Sequence, residues 1–232
     1  LEKKRKSRRR KLVIWLLVDL AVVALVLALL VYRPSRYRPA LSYLPPDPNG
    51  DRVHPYFTHE LAPKLNNGAQ FQRPFEVVVL DQRLNEAIAQ ETWCQDAGGI
   101  FLSAPQVLFA PGRVILMGTA SIEGAEFVVT IELGPQLGQD GRLNFLVEKV
   151  KVGAMNITLL AKAVAKKKYR ERVEAGAVAT ENIGTKIAAS LLSEEPFDPV
   201  FDIGDKRVRL TGFTLTDGQL TTQFTPVPKP RH

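Results

Sequence analysis

The chain has 232 residues, enough for one substantial domain with accessory segments or two small domains. Its 45% hydrophobic and 24% charged content are those of a globular protein and exclude a disordered polymer. A net charge of +7 raises nucleic acid or an anionic surface as partners until the charge is located along the chain.

Lys3, Lys4, Arg5, Lys6, Arg8, Arg9, Arg10 and Lys11 stand against a single acid, Glu2, and account for the whole excess. The remaining residues carry 23 basic and 23 acidic side chains, so no nucleic-acid partner is expected for the body of the protein. Cys94 is the only cysteine, which rules out an intrachain disulfide and a cysteine-built metal cage. Residues 1–11 read as a basic cytoplasmic tail.

Residues 12–32, LVIWLLVDLAVVALVLALLVY, contain one charged residue, Asp19. Their number matches the roughly 20 residues a helix needs to cross about 30 Å of hydrocarbon. Trp15 and Tyr32 lie near the two ends, where amphipathic rings prefer the interface. The basic flank predicts a single-pass anchor in the inner (cytoplasmic) membrane with the N-terminus cytoplasmic and the C-terminal domain periplasmic or extracellular. A cleavable signal peptide competes with this reading, but the apolar run is long and no small-x-small site precedes Tyr32-Arg33-Pro34. Asp19 either contacts a partner membrane helix or is neutralised near the basic end, because a carboxylate inside the bilayer costs a few kcal/mol.

Residues 33–56 hold six prolines and no apolar period, which predicts an extended stalk. Residues 57–232 read as an α+β ectodomain opening with a short helix over 57–66. FEVVVL at 75–80 predicts a strand, with Asp81 capping a helix that carries Leu84, Ile88 and Trp93. Alternation over 113–122, 125–133 and 143–152 predicts an antiparallel meander spanning 105–152. Its second face is also partly apolar, through Ile115, Met117 and Val128, so it must be covered by the same chain or line a groove.

The period changes at Asn156, where Ile157, Leu160, Ala161, Val164 and Ala165 predict an amphipathic helix with Lys162, Lys166 and Lys167 on its polar side. A second helix is expected from about Glu181 to Ser193, then strands at 199–203, 207–215 and 220–227. Strands in blocks with helices between them indicate a curved antiparallel sheet packed on two or three helices, not a βαβ nucleotide-binding fold.

Hydrolase, phosphate-loop and dinucleotide motifs are absent. His54 and His59 beside Asp51 and Glu60 fall in or next to the proline-rich stretch and read as solvated surface rather than metal ligands. Cys94 has no histidine base near it in sequence. No enzyme, metal or cofactor is expected. The cluster Lys162, Lys166, Lys167, Lys168, Arg170 and Arg172 reads as a solvated helix face or as a contact for anionic lipid headgroups. Asn156-Ile157-Thr158 fits a glycosylation acceptor, relevant only in a eukaryotic secretory setting.

Three stretches resemble the YpmS-like family of bacterial membrane-anchored proteins and, more distantly, tubular lipid-binding (TULIP-like) envelope domains. They are FEVVVLDQRLNEAIA at 75–89 with its Leu84-Asn85 pair, GRLNFLVEKVKVGAMNITLLAKAV at 141–164, and Asp205 to Leu210 with the turn Asp217-Gly218. The resemblance implies a long sheet cradling a helix with an apolar lipid groove, and brings no catalytic residue with it.

The resulting expectation is an envelope protein that binds a lipid-like ligand along its sheet. Leu116, Phe127, Val129, Ile131 and Phe145 are candidate lining, and Lys162, Lys166 and Lys167 candidate headgroup contacts. The alternative is a structural or accessory subunit of a larger membrane complex, held through Asp19 and a surface of the ectodomain.

Overall fold

The computed structural model describes residues 2–40, 53–71, 73–91, 93–96, 99–174 and 183–228. The middle of the expected stalk (41–52), the start of the expected second helix at Glu181 and the terminal His232 lie outside them. So do the side chains of the basic residues before Lys11 and of Arg172.

Helix α1 (Glu2–Val31) contains one stretch, Val13–Val31, long and apolar enough to cross a membrane by length and composition. That stretch stands clear of the body, with Asp19 exposed along it. Only its final turn meets the body, where the Ala154 amide donates to the Leu29 carbonyl at 2.8 Å. The acceptor is one of the last carbonyls that a helix end leaves without an internal partner.

The body is α+β, with two antiparallel sheets where the sequence suggests one. The larger contains β2 (Gln95–Asp96), β3 (Phe101–Ala110), β4 (Arg113–Ile122), β5 (Ala125–Leu137), β6 (Leu143–Val152) and β7 (Met155–Asn156), paired in chain order. The smaller contains β1 (Phe75–Leu80), β8 (Val200–Ile203), β9 (Lys206–Thr216) and β10 (Gln219–Val227), in the order β1-β10-β9-β8. The expected meander is therefore real, and it begins earlier, at Phe101. The cause of the split lies in β1: its VVVL run pairs with the C-terminal β10, from Phe75 with Phe224 to Leu80 with Gln219, so the chain's two strand blocks close on each other.

A π-helical turn (Tyr56–Leu61) runs into α2 (Ala62–Gln70), so the helix expected over 57–66 is longer at both ends. Helix α3 (Asp81–Ile88) follows β1 directly, with Leu80 rather than Asp81 at its N-cap. Trp93 lies beyond α3 rather than on it, its indole donating to the Ile88 carbonyl at 2.5 Å.

The Asp81 carboxylate has another task. It accepts the Phe109 amide at 3.2 Å, and the buried Asn85 side chain both accepts from the Val107 amide and donates to its carbonyl, each at 2.7 Å. Since β2 covers only Phe101 and Leu102, these side chains complete the exposed edge of β3, a row that would otherwise remain open for pairing. The Gly218 amide donates to the Phe109 carbonyl and fixes the turn of the small sheet to the same edge. At the other side of the meander Leu143 and Phe197 exchange backbone hydrogen bonds at 2.9 Å. Leu143, Phe197 and Leu210, with Phe145, Phe201 and Phe213 packed on them, form the core where the sheets meet. The small sheet thus sits at the end of the large sheet opposite to α1.

Helices α4 (Thr158–Glu174) and α5 (Ile183–Ser193) lie on one face of the large sheet. The β6–β7 turn sets where α4 begins: Ile157 donates to the Val150 carbonyl at 2.9 Å, and the Thr158 hydroxyl accepts the Val150 amide at 2.9 Å. Asn156 takes the Thr158 amide at 3.0 Å, supporting the first turn.

Candidate functional site

Alternation sorts the large sheet into two faces. Leu116 lies opposite Ile131, which lies opposite Val150, and Leu133 lies opposite Val147 beyond a bulge. These residues share the face that carries α4 and α5. Ile115, Met117, Val128 and Thr130 share the other.

That second face is covered only in part by the chain itself, and a hollow of about 410 Å³ remains there between Tyr32, Pro34 and Arg36 and the sheet residues Ile115, Met117 and Thr130. The first residues of the expected stalk do not hang free, because Tyr37 is only 4% exposed and packs with Met117 and Val128. Its hydroxyl donates to the Ala104 carbonyl at 2.7 Å and lies 2.8 Å from the Thr119 hydroxyl. The Arg33 guanidinium sits 5.2 Å above the ring. One residue on, the Arg38 amide donates to the buried Gln106 side chain at 2.7 Å. Aromatic burial with the polar tip satisfied is what a closed core position requires.

The helix-bearing face is not filled. Between it and the two helices runs a cavity of about 520 Å³. Its floor is Leu116, Ile131, Leu133, Val147 and Val150; its roof is Ala161, Ala163 and Ala165 of α4 with Leu191 and Leu192 of α5. The roof explains the void, since alanines facing aliphatic floor residues leave unoccupied the volume that larger side chains would take.

Charge is confined to the rim, at Lys162, Lys166 and Glu194. Lys162 is paired with Glu194 at 2.5 Å across the α4–α5 gap. Lys166 has no ion-pair partner among the described residues.

Of the residues singled out from sequence, Leu116 and Ile131 line this cavity and Lys162 and Lys166 rim it. Phe145 belongs elsewhere, stacked on Phe197 with ring centroids 6.2 Å apart in the core between the sheets. Phe127 and Val129 lie on the cavity's face of β5 but nearer α1, opposite Ala120 and Gly118, and do not line it. Lys167 points along α4 toward Glu171 at 4.0 Å and takes no part in the rim.

The sequence did not single out Leu133, Val147, Leu191 or Ala163 as lining, and it put Ala161 and Ala165 on the apolar stripe of α4 without assigning them to a cavity. Helical spacing misassigned Leu160 and Val164, which are 64% and 48% exposed rather than packed on the sheet.

A second hollow is polar, lined among others by Arg38, His54, Asp81, Glu86 and Gln106 against α3. No group of three or more histidine, cysteine or acidic side chains that could hold a metal occurs among the described residues. His54 accepts the Tyr56 amide at 3.1 Å, and the His59 ring lies 2.8 Å from the Thr58 hydroxyl. Cys94 is exposed, with a φ of 122°.

No family model matches the sequence, and searches of curated proteins and of solved structures find no match either.

Proposed function

We propose that this chain is a membrane-anchored, non-enzymatic envelope protein that holds a lipid-like apolar ligand between its large sheet and helices α4 and α5. The observation that carries the reading is the cavity itself. Its volume of about 520 Å³ is within the roughly 300–1,000 Å³ usual for small-molecule sites, and its walls are aliphatic. An aliphatic floor and roof, with polar groups only at Lys162, Lys166, Ser193 and Glu194, offer few partners to bound water, so an apolar ligand is the occupant the cavity favours.

An aliphatic tail would lie on Leu116, Ile131 and Val147, and an anionic head would remain at the rim beside Lys166. Lys162 is a weaker candidate for the head, because Glu194 already neutralises it. Kinship with the YpmS-like and tubular lipid-binding domains, which we infer from the three stretches alone, agrees with the same reading, as does α1, for which we infer an N-terminus in the cytoplasm.

The test compares lipids recovered from the detergent-purified full chain and from an Ala165→Phe variant by mass spectrometry. Lipid surrounding α1 is common to both, so the reading requires one lipid class depleted several-fold in the variant. Equal recovery would overturn it.

A second reading rests on Asp19, whose side chain is exposed on a helix that the body leaves bare. A carboxylate in that position favours a polar partner helix, which makes the chain an accessory subunit of a membrane complex. A stoichiometric partner retained in mild detergent and lost on Asp19→Leu would support it.

A further inference from the structure

The anchor-side end of the body is unusually apolar. Leu159 is 87% exposed and Leu160 64%, both in the first turn of α4, and Leu102 and Ile122 are 40% and 42% exposed at the near end of the large sheet. We propose that this end is seated in the headgroup–acyl boundary of the bilayer that holds α1, so that the cavity opens onto lipid rather than water. The proposal deepens the reading above and rests on α1 being a membrane anchor.

Position is the first argument. The Leu29 carbonyl is bonded to the Ala154 amide, and the Gly153 amide is bonded to the Val128 carbonyl, so the end of α1 is fixed to the β6–β7 turn. Gly153, at a φ of 58°, is there because a Cβ would run into the Leu29 and Leu30 carbonyl oxygens. Thr158 follows Ala154 by four residues, a reach of at most about 14 Å. The first turn of α4 therefore cannot stand far from the level at which α1 leaves the membrane.

Register supplies the second argument. Leu102 pairs with Ala120, Ala120 with Phe127, and Ile122 with Ala125, all on the face that bears the cavity. Along β5 the same face runs Ile131, Val129, Phe127, Ala125, an apolar track of about 20 Å from the cavity to the sheet's end. The acids at this end limit the depth of immersion. Glu126, opposite Ser121, belongs to the other face, and Glu123 occupies the turn tip. The immersion is therefore shallow and tilted toward the cavity face, so that Glu123 and Glu126 stay at headgroup depth while Leu160, Leu102 and Ile122 reach the acyl boundary.

Charge is the third. Farther along α4 come Lys166, Lys167, Lys168 and Arg170, cations of the kind that draw a surface toward anionic headgroups.

The experiment uses the full chain in a Cys94→Ser background, reconstituted in vesicles of phosphatidylcholine and phosphatidylglycerol. A single cysteine carries an environment-sensitive fluorophore at Leu160→Cys, at Val18→Cys in α1, or at Asp217→Cys in the β9–β10 turn, which meets Phe109 at the opposite end of the sheet. Spin-labelled lipids serve as quenchers. The proposal expects the label at 160 to be quenched several-fold more than that at 217, and more by shallow than by deep spin labels. Equal quenching at 160 and 217 with strong quenching at 18 overturns it while leaving the anchor intact. Loss of quenching at 18 as well shows that the anchor reading itself has failed. A label at 160 shielded from aqueous iodide but untouched by spin-labelled lipid means that a second copy covers the surface, and also overturns it.

Discussion

The two faces of the large sheet are built from alternate residues of the same strands, yet one is plugged in part by an aromatic ring and the other is roofed by alanines. Tyr37 plugs part of the first with a ring on Met117 and Val128 and a hydroxyl shared between Ala104 and Thr119. Alanines roof the second, above Leu116, Ile131 and Val147. The helix-bearing face is the more apolar, with Leu116, Ile131, Val129 and Val150 where the other carries Thr119, Thr130, Glu132 and Lys151, so a high apolar content alone does not turn a sheet face into filled core. The hollows differ in lining: Arg36, Glu132 and Lys151 border the one beside Tyr37, while aliphatic side chains make the floor and roof of the one under α4 and α5.

This contrast can be broken most severely at Tyr37. Tyr37→Ala removes a buried ring and its hydrogen bonds and should cost about 3–5 kcal/mol, read by denaturant or thermal unfolding of the full chain. Tyr37→Phe should cost only about 1 kcal/mol, because the ring remains and one hydroxyl is lost. Asn85→Ala, which strips two hydrogen bonds from the edge of β3, should fall between them at about 2–3 kcal/mol by the same measurement.

On the hollow face the expectation changes sign. Ala165→Phe adds apolar volume to an existing void, so stability should stay within about 1 kcal/mol of the parent while lipid recovery falls. A loss as large as that of Tyr37→Ala would mean that the face is already packed. Lys166→Glu should alter the preference for anionic over neutral lipid a few-fold, an effect that shrinks as salt is raised.

The smallest effect is expected at Tyr56, whose buried phenol is pushed above its ordinary value chiefly by loss of solvent. A raised folded value means that the full contribution is present below the unfolded value near 10 and is lost as pH rises through the folded one. Unfolding followed between pH 9 and 12 should show that loss in the parent, and Tyr56→Phe should remove this part of the pH dependence.

Period carried most of what could be read in advance. The FEVVVL strand, the three meander strands and the closing hairpins have the alternation of half-buried strands, and they form where expected. Partner choice carries no such local signal, and β1 pairing with β10 across more than 130 residues could not be read from either strand alone. The stretch after α1 misled for a related reason. Pro34 and Pro39 mark an irregular backbone, but an irregular backbone can still lay one tyrosine into a core.

At the site, Leu116 and Ile131 were legible because strand alternation puts them on one face together. Phe145 has the same alternation and is core, because α5 and Phe197 reach it and leave no gap. The misplacement of Leu160 and Val164 is the more instructive failure. Helical spacing identifies an apolar stripe but not what lies opposite, and here Ala161 and Ala165 of that stripe meet the cavity while Leu160 and Val164 are turned outward.

The most direct test of the hollow face is covalent capture of its occupant. The full chain is reconstituted with a phospholipid bearing a diazirine in its acyl chain, irradiated, digested and mapped by mass spectrometry. The account predicts adducts on the peptides containing Leu116, Ile131, Val147 and Leu191, in addition to those on α1, and their loss in Ala165→Phe. Adducts confined to Val13–Val31 would contradict it.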